Sequence, residues 1–241
     1  MRCMYRLVIA MMAAGLLFPP IPGVADFGPM DMLIGGGAAA PKSSHVSIRL
    51  ESQEVTIHLR KDTYTVDAIF QFFNTEETTT EWIGFPKQTA TRGVPRSRAN
   101  FIRFNTWVNG REVGFSEEPD FKSHSGVEQR KWLVHQITFP GHTRTIIRVS
   151  YKASYNFFGP RPNAYYIYGT GSYWKDNIGK AVFIIDSSYV GGTKYTDTHF
   201  PSKLGGRRIS ENLVMYEIGD FKPDPEAVLR VLVLPRPPSR K

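Results

Sequence analysis

The sequence predicts an all-β protein: two consecutive antiparallel β-sandwich domains after a cleaved signal peptide. Three observations predict it. Tyr64, Val66, Ala68, Phe70 and Phe72 alternate with Thr65, Asp67, Ile69, Gln71 and Phe73, a period of two with one wholly apolar face. Turn signals recur at intervals of about 8–12 residues, the spacing of sandwiches. After the leader, no segment of about ten residues or more carries the 3.6-residue period of an amphipathic helix.

Arg2 and Arg6 form a short basic region, residues 7–18 are uncharged and almost wholly apolar, and prolines then break the chain. Gly23, Val24 and Ala25 put small residues before Asp26. Basic, apolar, then small is the order of a secretory signal peptide, so residues 1–25 are expected to be removed. The apolar run of about 12 residues is shorter than the roughly 20 that span a bilayer. The mature chain is therefore expected to be exported, periplasmic or extracellular, and not membrane-spanning. Cys3, the only cysteine, leaves with the leader, so no disulfide staples the mature chain. A chain of this length can bury enough apolar surface to fold without one.

Residues 26–44 hold Gly35, Gly36, Gly37 and Pro41 without periodicity and read as a flexible lead-in. Strand patterns begin at His45. Ile102, Phe104, Thr106 and Val108 alternate with Phe101, Arg103, Asn105 and Trp107, and Asn109-Gly110 follows. Asn-Gly tolerates the positive φ angles of a type I′ turn and is the strongest hairpin signal in the chain. A second long hairpin is expected from Arg130 to Phe139, around Pro140-Gly141-His142, and back to Tyr151. Phe157, Phe158, Gly159, Pro160, Arg161 and Pro162 interrupt the ladders and mark an internal boundary. Domains are expected at residues 45–156 and 163–235, with a disordered tail at 236–241. Residues 181–185 and 228–234 are near-continuous apolar runs, suited to strands covered on both faces. Gly205-Gly206 opens a hairpin that sets Arg208 and Ile209 against residues 214–218.

From His45 to Tyr155 the landmarks follow one another in a recognisable order. An early strand at 55–59 precedes Phe72-Phe73-Asn74. Then come Phe85-Pro86, Trp107-Val108-Asn109-Gly110, Phe139-Pro140-Gly141, and Ile147 through Tyr151. In that order the segment resembles the VIT domain, the β-sandwich of vault and inter-alpha-trypsin-inhibitor proteins. The whole chain, including the run from Tyr173 to Lys180, is similar to an exported bacterial family with no assigned function. The VIT resemblance implies a fold and no active site. A von Willebrand A domain commonly follows a VIT domain, with a metal motif D-x-S-x-S. Asp186-Ser187-Ser188 supplies its first half, but Val190 stands where the second serine would fall. The chain left after the boundary is about half what such a domain needs, so Asp186 reads as a strand ending in a polar turn.

Motifs of covalent chemistry are few. His45, His58, His124, His135, His142 and His199 lie too far apart for H-E-x-x-H or a related zinc signature. His135 shares a strand face with Leu133, Ile137 and Phe139 and reads as a hydrogen-bonded core residue. Ser172-Tyr173-Trp174-Lys175 matches S-x-x-K, but S-D-N and K-T-G are missing and no helix is expected to align serine with lysine. No cofactor and no metal is implied.

Two clusters remain. Tyr165, Tyr166, Tyr168, Tyr173 and Trp174, with Gly169 and Gly171 between them, could stack on a sugar face or anchor a partner. Their other reading is packing between the sandwiches, and a mixed outcome is expected, with Trp174 buried and at least one tyrosine exposed. Lys87, Arg92, Arg96, Arg98 and Arg103 accumulate where no acid occurs between Glu81 and Glu112. Such a loop attracts phosphate or sulfate, or is simply solvated. The formal charge of +8 becomes +6 once Arg2 and Arg6 are removed, and it draws the protein toward anionic neighbours such as a surface polymer. Nucleic acid is not expected outside the cytoplasm, and the basic loop lacks interleaved aromatics for base stacking. The reading is a non-enzymatic binding or scaffolding protein of the cell envelope with a protein or glycan partner. The competing reading is an envelope hydrolase or metal-dependent enzyme with a site assembled from residues distant in sequence.

Overall fold

A computed structural model of the chain describes residues 36–37, 40–41, 46–88, 101–119, 131–158, 160–200, 205–225 and 227–235. The expected leader and tail, and Arg92, Arg96 and Arg98 of the basic loop, lie outside the described residues. Those described are all β apart from three short 3-10 turns. The strands are β1 (Gly36–Gly37), β2 (Ala40–Pro41), β3 (Ile48–Leu59), β4 (Thr63–Asn74), β5 (Thr79–Gln88), β6 (Phe101–Val108), β7 (Arg111–Val113), β8 (Ser116–Pro119) and β9 (Lys131–Phe139). They continue as β10 (Arg144–Ser154), β11 (Asn156–Phe158), β12 (Arg161–Ile167), β13 (Ile178–Asp186), β14 (Thr196–His199), β15 (Arg207–Arg208), β16 (Leu213–Phe221) and β17 (Val228–Val233).

Eight strands make the main sheet, in the order β15-β16-β13-β3-β4-β10-β6-β7. Every pairing in it is antiparallel except β3 with β13. The strands on the two sides of Phe157–Pro162, expected to form separate sandwiches, share this sheet. The parallel β3–β13 ladder, from Lys180↔Ser52 to Asp186↔His58, is what joins them. Ladder hydrogen bonds of that kind are non-local, and turn residues at a boundary do not report them.

One face of the main sheet is the core side. Tyr64, Val66, Ala68, Phe70 and Phe72 of β4 are all buried, as their alternation predicts. Over β4 and β6 this face meets the four-stranded sheet β2-β5-β9-β8, where Phe70 and Phe104 touch Phe85 and Phe72 meets Phe139 edge-on. Over β13 it meets the sheet β1-β12-β17-β14, where Tyr166 and Tyr168 pack on Phe183. Buried side chains from all three sheets form one large apolar cluster, and Trp132 and Val134 form a small separate one. The opposite face of the main sheet carries the polar residues of each alternating strand.

The Asn109-Gly110 turn has φ of 48° and 82°, and Val108 pairs with Arg111 across it, as a two-residue hairpin requires. The expected 130–151 hairpin is not one. β9 pairs with β5 and β8, whereas β10 pairs with β4 and β6 in the main sheet. Pro140-Gly141-His142 is a corner between sheets, held by the neighbouring corner at Asn74–Thr78. The Asn74 side-chain amide donates to Phe139 O at 3.0 Å and Glu77 O at 2.7 Å, and His142 N–H donates to Glu76 O.

β13 is not covered equally on both faces, whereas no residue of β17 is exposed and Leu229, Val231 and Leu232 are all buried. Val182 and Ile184 on the outer side of β13 are only half-buried, because no layer covers that side of the main sheet among the described residues. The hairpin after Gly205-Gly206 forms with Arg207 and Arg208 against Met215 and Val214. No helix of the described residues is long and apolar enough to cross a membrane.

Candidate functional site

The five aromatics singled out in the sequence are mostly interior. Tyr165, Tyr166, Tyr168 and Trp174 are buried, and Tyr173 is half-buried against Trp132 and Val134. Trp174 lies 4.5 Å from Phe72, centroid to centroid, and Tyr168 stacks on Phe200 at 5.1 Å. Burial pushes the Tyr168 phenol up to about 12 and raises that of Tyr166 further. These rings stay neutral and fill the space between sheets. Of the basic cluster, Arg103 is described. It is exposed at the end of β6, and its Nε donates to Asn105 Oδ1 at 2.7 Å. Lys87 lies in β5 by its backbone.

His135 is buried, with Nε2 3.1 Å from Thr106 Oγ1 and Nδ1 2.7 Å from Gly114 O. Burial lowers its pKa, partly offset by the Gly114 carbonyl. Both ring nitrogens are used inside the protein, so the residue is structural.

Polar groups converge instead on the outer face of the main sheet. Alternation turns His58 of β3, Asp67 of β4, Arg148 of β10, Trp107 of β6 and Asp186 of β13 to that side. Cross-strand register then makes them neighbours. Ser188, just past β13, donates its hydroxyl to Asp186 Oδ1 at 2.5 Å and its backbone N–H to the same oxygen at 3.0 Å. The other carboxylate oxygen accepts from His58 Nδ1 at 2.9 Å. His58 Nε2 lies 3.9 Å from Asp67 Oδ2, and Arg148 Nη2 lies 3.5 Å from Asp67 Oδ1. The Arg148 guanidinium is 5.1 Å from the Trp107 ring centroid. A continuous band thus crosses five strands from Ser188 to Trp107.

Burial acts to raise the Asp186 pKa, but the Ser188 and His58 hydrogen bonds outweigh it and hold the carboxyl below the usual range. The Ser188 hydroxyl proton points at a carboxylate and not at the imidazole, so serine and histidine are not paired as nucleophile and base. Beside the band, Arg103, Asn105 and Glu112 form a second line, with Asn105 Nδ2 donating to Glu112 Oε1 at 2.6 Å. Among the described residues no group of three or more His, Cys, Asp or Glu is placed to hold a metal ion. Sequence reasoning selected Arg103 alone from this face. The alternation of residues 64–73 set Asp67 opposite the apolar face, but only register shows which residues it meets.

No family profile and no curated protein matches the chain. Solved structures do. A provisionally named nutrient binding protein of Legionella pneumophila superposes with a TM-score of 0.63 at 17% identity, over 83% of this chain and 72% of that one. An M1 zinc metallopeptidase of Deinococcus radiodurans gives 0.41 at 6% identity, over 79% of this chain and 43% of its own. Leukotriene A4 hydrolase of Saccharomyces cerevisiae gives 0.43 at 8%, over 80% and 30%. The Legionella likeness is one of fold. The two enzyme likenesses are too distant to support any argument.

Proposed function

We propose that this is a non-enzymatic binding or scaffolding protein, exported after loss of residues 1–25, which recognises a protein or glycan of the cell envelope. One observation carries the reading: the outer face of an eight-stranded sheet presents connected planar side chains around Trp107. Groups held by one another in fixed orientation meet a partner without further ordering cost, which is how a rigid sheet becomes a binding surface. The nutrient-binding name of the Legionella protein agrees with such a role. The VIT-like order of strands in residues 45–155 belongs to the same reading, as a sandwich scaffold without an active site. Capture from an envelope extract by immobilised chain beginning at Asp26 tests it. Retention of a defined protein or glycan is the expected result, and retention of nothing above a control sandwich protein overturns it.

A further inference from the structure

We propose that one end of the main sheet docks on an anionic phospholipid bilayer as a peripheral contact, an inference that goes beyond the partner reading and does not depend on it. Register defines this end. Leu59 pairs with Tyr64, Ser154 with Thr63, Ala153 with Phe101 and Asp186 with Leu213, so β3, β10 and β13 finish where β4, β6 and β16 start. The Tyr155 hydroxyl donates to Arg60 O at 2.8 Å and accepts from the Arg60 N–H at 3.1 Å. That bond pair ties the chain leaving β10 to the β3–β4 turn. β11 and β12 then form a hairpin in which Phe158 pairs with Arg161.

Exposed apolar side chains collect at this end. Phe157 on β11 is 71% exposed, and Tyr189, just past β13, is 63% exposed. Ile102 is the extra residue of a bulge, since Arg103 pairs with Lys152 but Phe101 with Ala153. A bulge re-aims its side chain, and that of Ile102 is 56% exposed. Ile209, in the turn between β15 and β16, is exposed as well. Side chains this far out of the core gain by entering an apolar medium. Each also has a cation in its own segment or against its ring: Arg103 follows Ile102, Arg208 precedes Ile209, Arg60 lies 3.7 Å over Tyr189, and Arg161 shares the hairpin of Phe157.

The charge around Phe157 and Ile102 is strongly positive. Arg60, Lys61, Arg103, Lys152 and Arg161 stand there with one acid, Asp62, and all but Arg60 of these cations are exposed. Across the rest of this end, among the described side chains, Lys194 is set against Asp186, Asp197 and Glu211, and both aspartates hold a histidine. The end as a whole remains net positive. A protein interface would need a contiguous apolar centre, which tips carried by separate segments do not make. A soluble polyanion would use the cations and leave Phe157 and Ile102 in water. An anionic bilayer takes up both kinds of group in one plane, with phosphates at the cations and rings at the acyl boundary. Docked by its strand ends, the main sheet keeps its outer face accessible.

The test is flotation of the chain from Asp26 with vesicles of phosphatidylglycerol and phosphatidylethanolamine. Phosphatidylcholine vesicles and soluble dextran sulfate are the other arms. Binding to the anionic vesicles that falls with added salt is expected, with much weaker binding to phosphatidylcholine. Lys61→Gln and Lys152→Gln should each weaken it about fivefold, and Phe157→Ser about tenfold. Val46→Ser is the control, since Val46 is 75% exposed but lies before β3, at the opposite end of the sheet. The two lysine variants keep the test decisive if Phe157→Ser does not melt like wild type. Flotation with neither vesicle, equal flotation with both, or folded variants that float like wild type overturns the proposal. Dextran sulfate binding without vesicle binding overturns it in favour of a soluble polyanion. Phe157-dependent capture of an envelope protein without vesicle binding overturns it in favour of a protein contact.

Discussion

The backbone of Asn109 donates its N–H to the carbonyl of Ile146 at 2.8 Å, and the Asn109 side-chain Oδ1 accepts the N–H of Ile146 at 2.9 Å. One residue thus satisfies both backbone groups of Ile146 on β10, while its own φ of 48° forms the β6–β7 turn. Turn and sheet register are thus tied to the same residue. Two substitutions separate the contributions. Asn109→Gly keeps the positive φ and loses the side-chain bond, so it should cost about 1 kcal/mol. Asn109→Val loses the bond and also strains the backbone, for a further cost of about 1–3 kcal/mol. Denaturant midpoints of both variants against wild type check the order. Equal midpoints for all three would show that the turn contributes nothing.

Asn109-Gly110 was legible in the sequence because a two-residue turn is chemistry of its own residues. Pro140-Gly141 also carries turn chemistry, yet it joins strands of different sheets. What decides this is Asn74, far away in sequence, whose amide binds the Phe139 carbonyl. The outer-face band shows the same division. Alternation set Asp67 opposite an apolar face and put Trp107 on one face with Arg103 and Asn105. That His58 meets Asp186 depends on a parallel pairing of β3 with β13 across more than a hundred residues, and no local pattern encodes that. The aromatic cluster was conspicuous by composition, and its composition proved to be that of an interior between sheets.

The corner itself can be tested at Gly141. A Cβ there would stand 2.8 Å from Glu76 O and 3.1 Å from Thr78 N, both rigid backbone atoms of the opposing corner. Gly141→Ala should therefore destabilise the protein by about 1–3 kcal/mol, the range of overpacking. Gly114→Ala is the control, since a Cβ there meets nothing within 4 Å. Thermal midpoints should separate the two variants. If Gly141→Ala melts with wild type, the two corners are not in contact.

His135 gives stability a pH dependence of known sign. Burial lowers its pKa in the folded state below the ordinary imidazole value of about 6.5. As pH falls below about 6.5, the unfolded chain takes up a proton that the folded chain declines, so stability drops until the folded pKa is reached. Above that window His135 contributes no pH dependence. Urea unfolding at about pH 7.5 and about pH 5.5 should show a loss in wild type that is smaller in His135→Gln. An equal loss in both proteins would mean that the histidine is protonated freely in the fold.

Trp174 and Tyr189 should respond in opposite ways to truncation. Trp174 is 2% exposed and packs on Phe72 and Phe139, so Trp174→Ala should cost about 3–5 kcal/mol. Tyr189 is 63% exposed beneath Arg60, and Tyr189→Ala should cost at most about 1 kcal/mol, the lost cation–π contact. Unfolding free energies of the two alanine variants measure this directly. A mild effect at Trp174 would return the aromatic cluster to consideration as a surface.

Gln53 is the clearest place where the core can be improved. It points inward from β3, is 1% exposed, and neither Nε2 nor Oε1 has a hydrogen-bond partner among the described residues. Its ladder neighbours are Phe70 on β4 and Ala181 on β13, whose side chains offer no polar atom. An unsatisfied buried polar group costs about 1–3 kcal/mol. Methionine has nearly the same length and shape and carries no such obligation. Gln53→Met should therefore raise the thermal midpoint, by about 2–4 °C for each kcal/mol recovered in a chain of this size. Gln53→Ala separates polarity from volume, because it removes the amide but leaves a cavity, and it should lower the midpoint. A fall in the midpoint with methionine would show that the amide has a partner in the folded protein and helps to hold β3 in place.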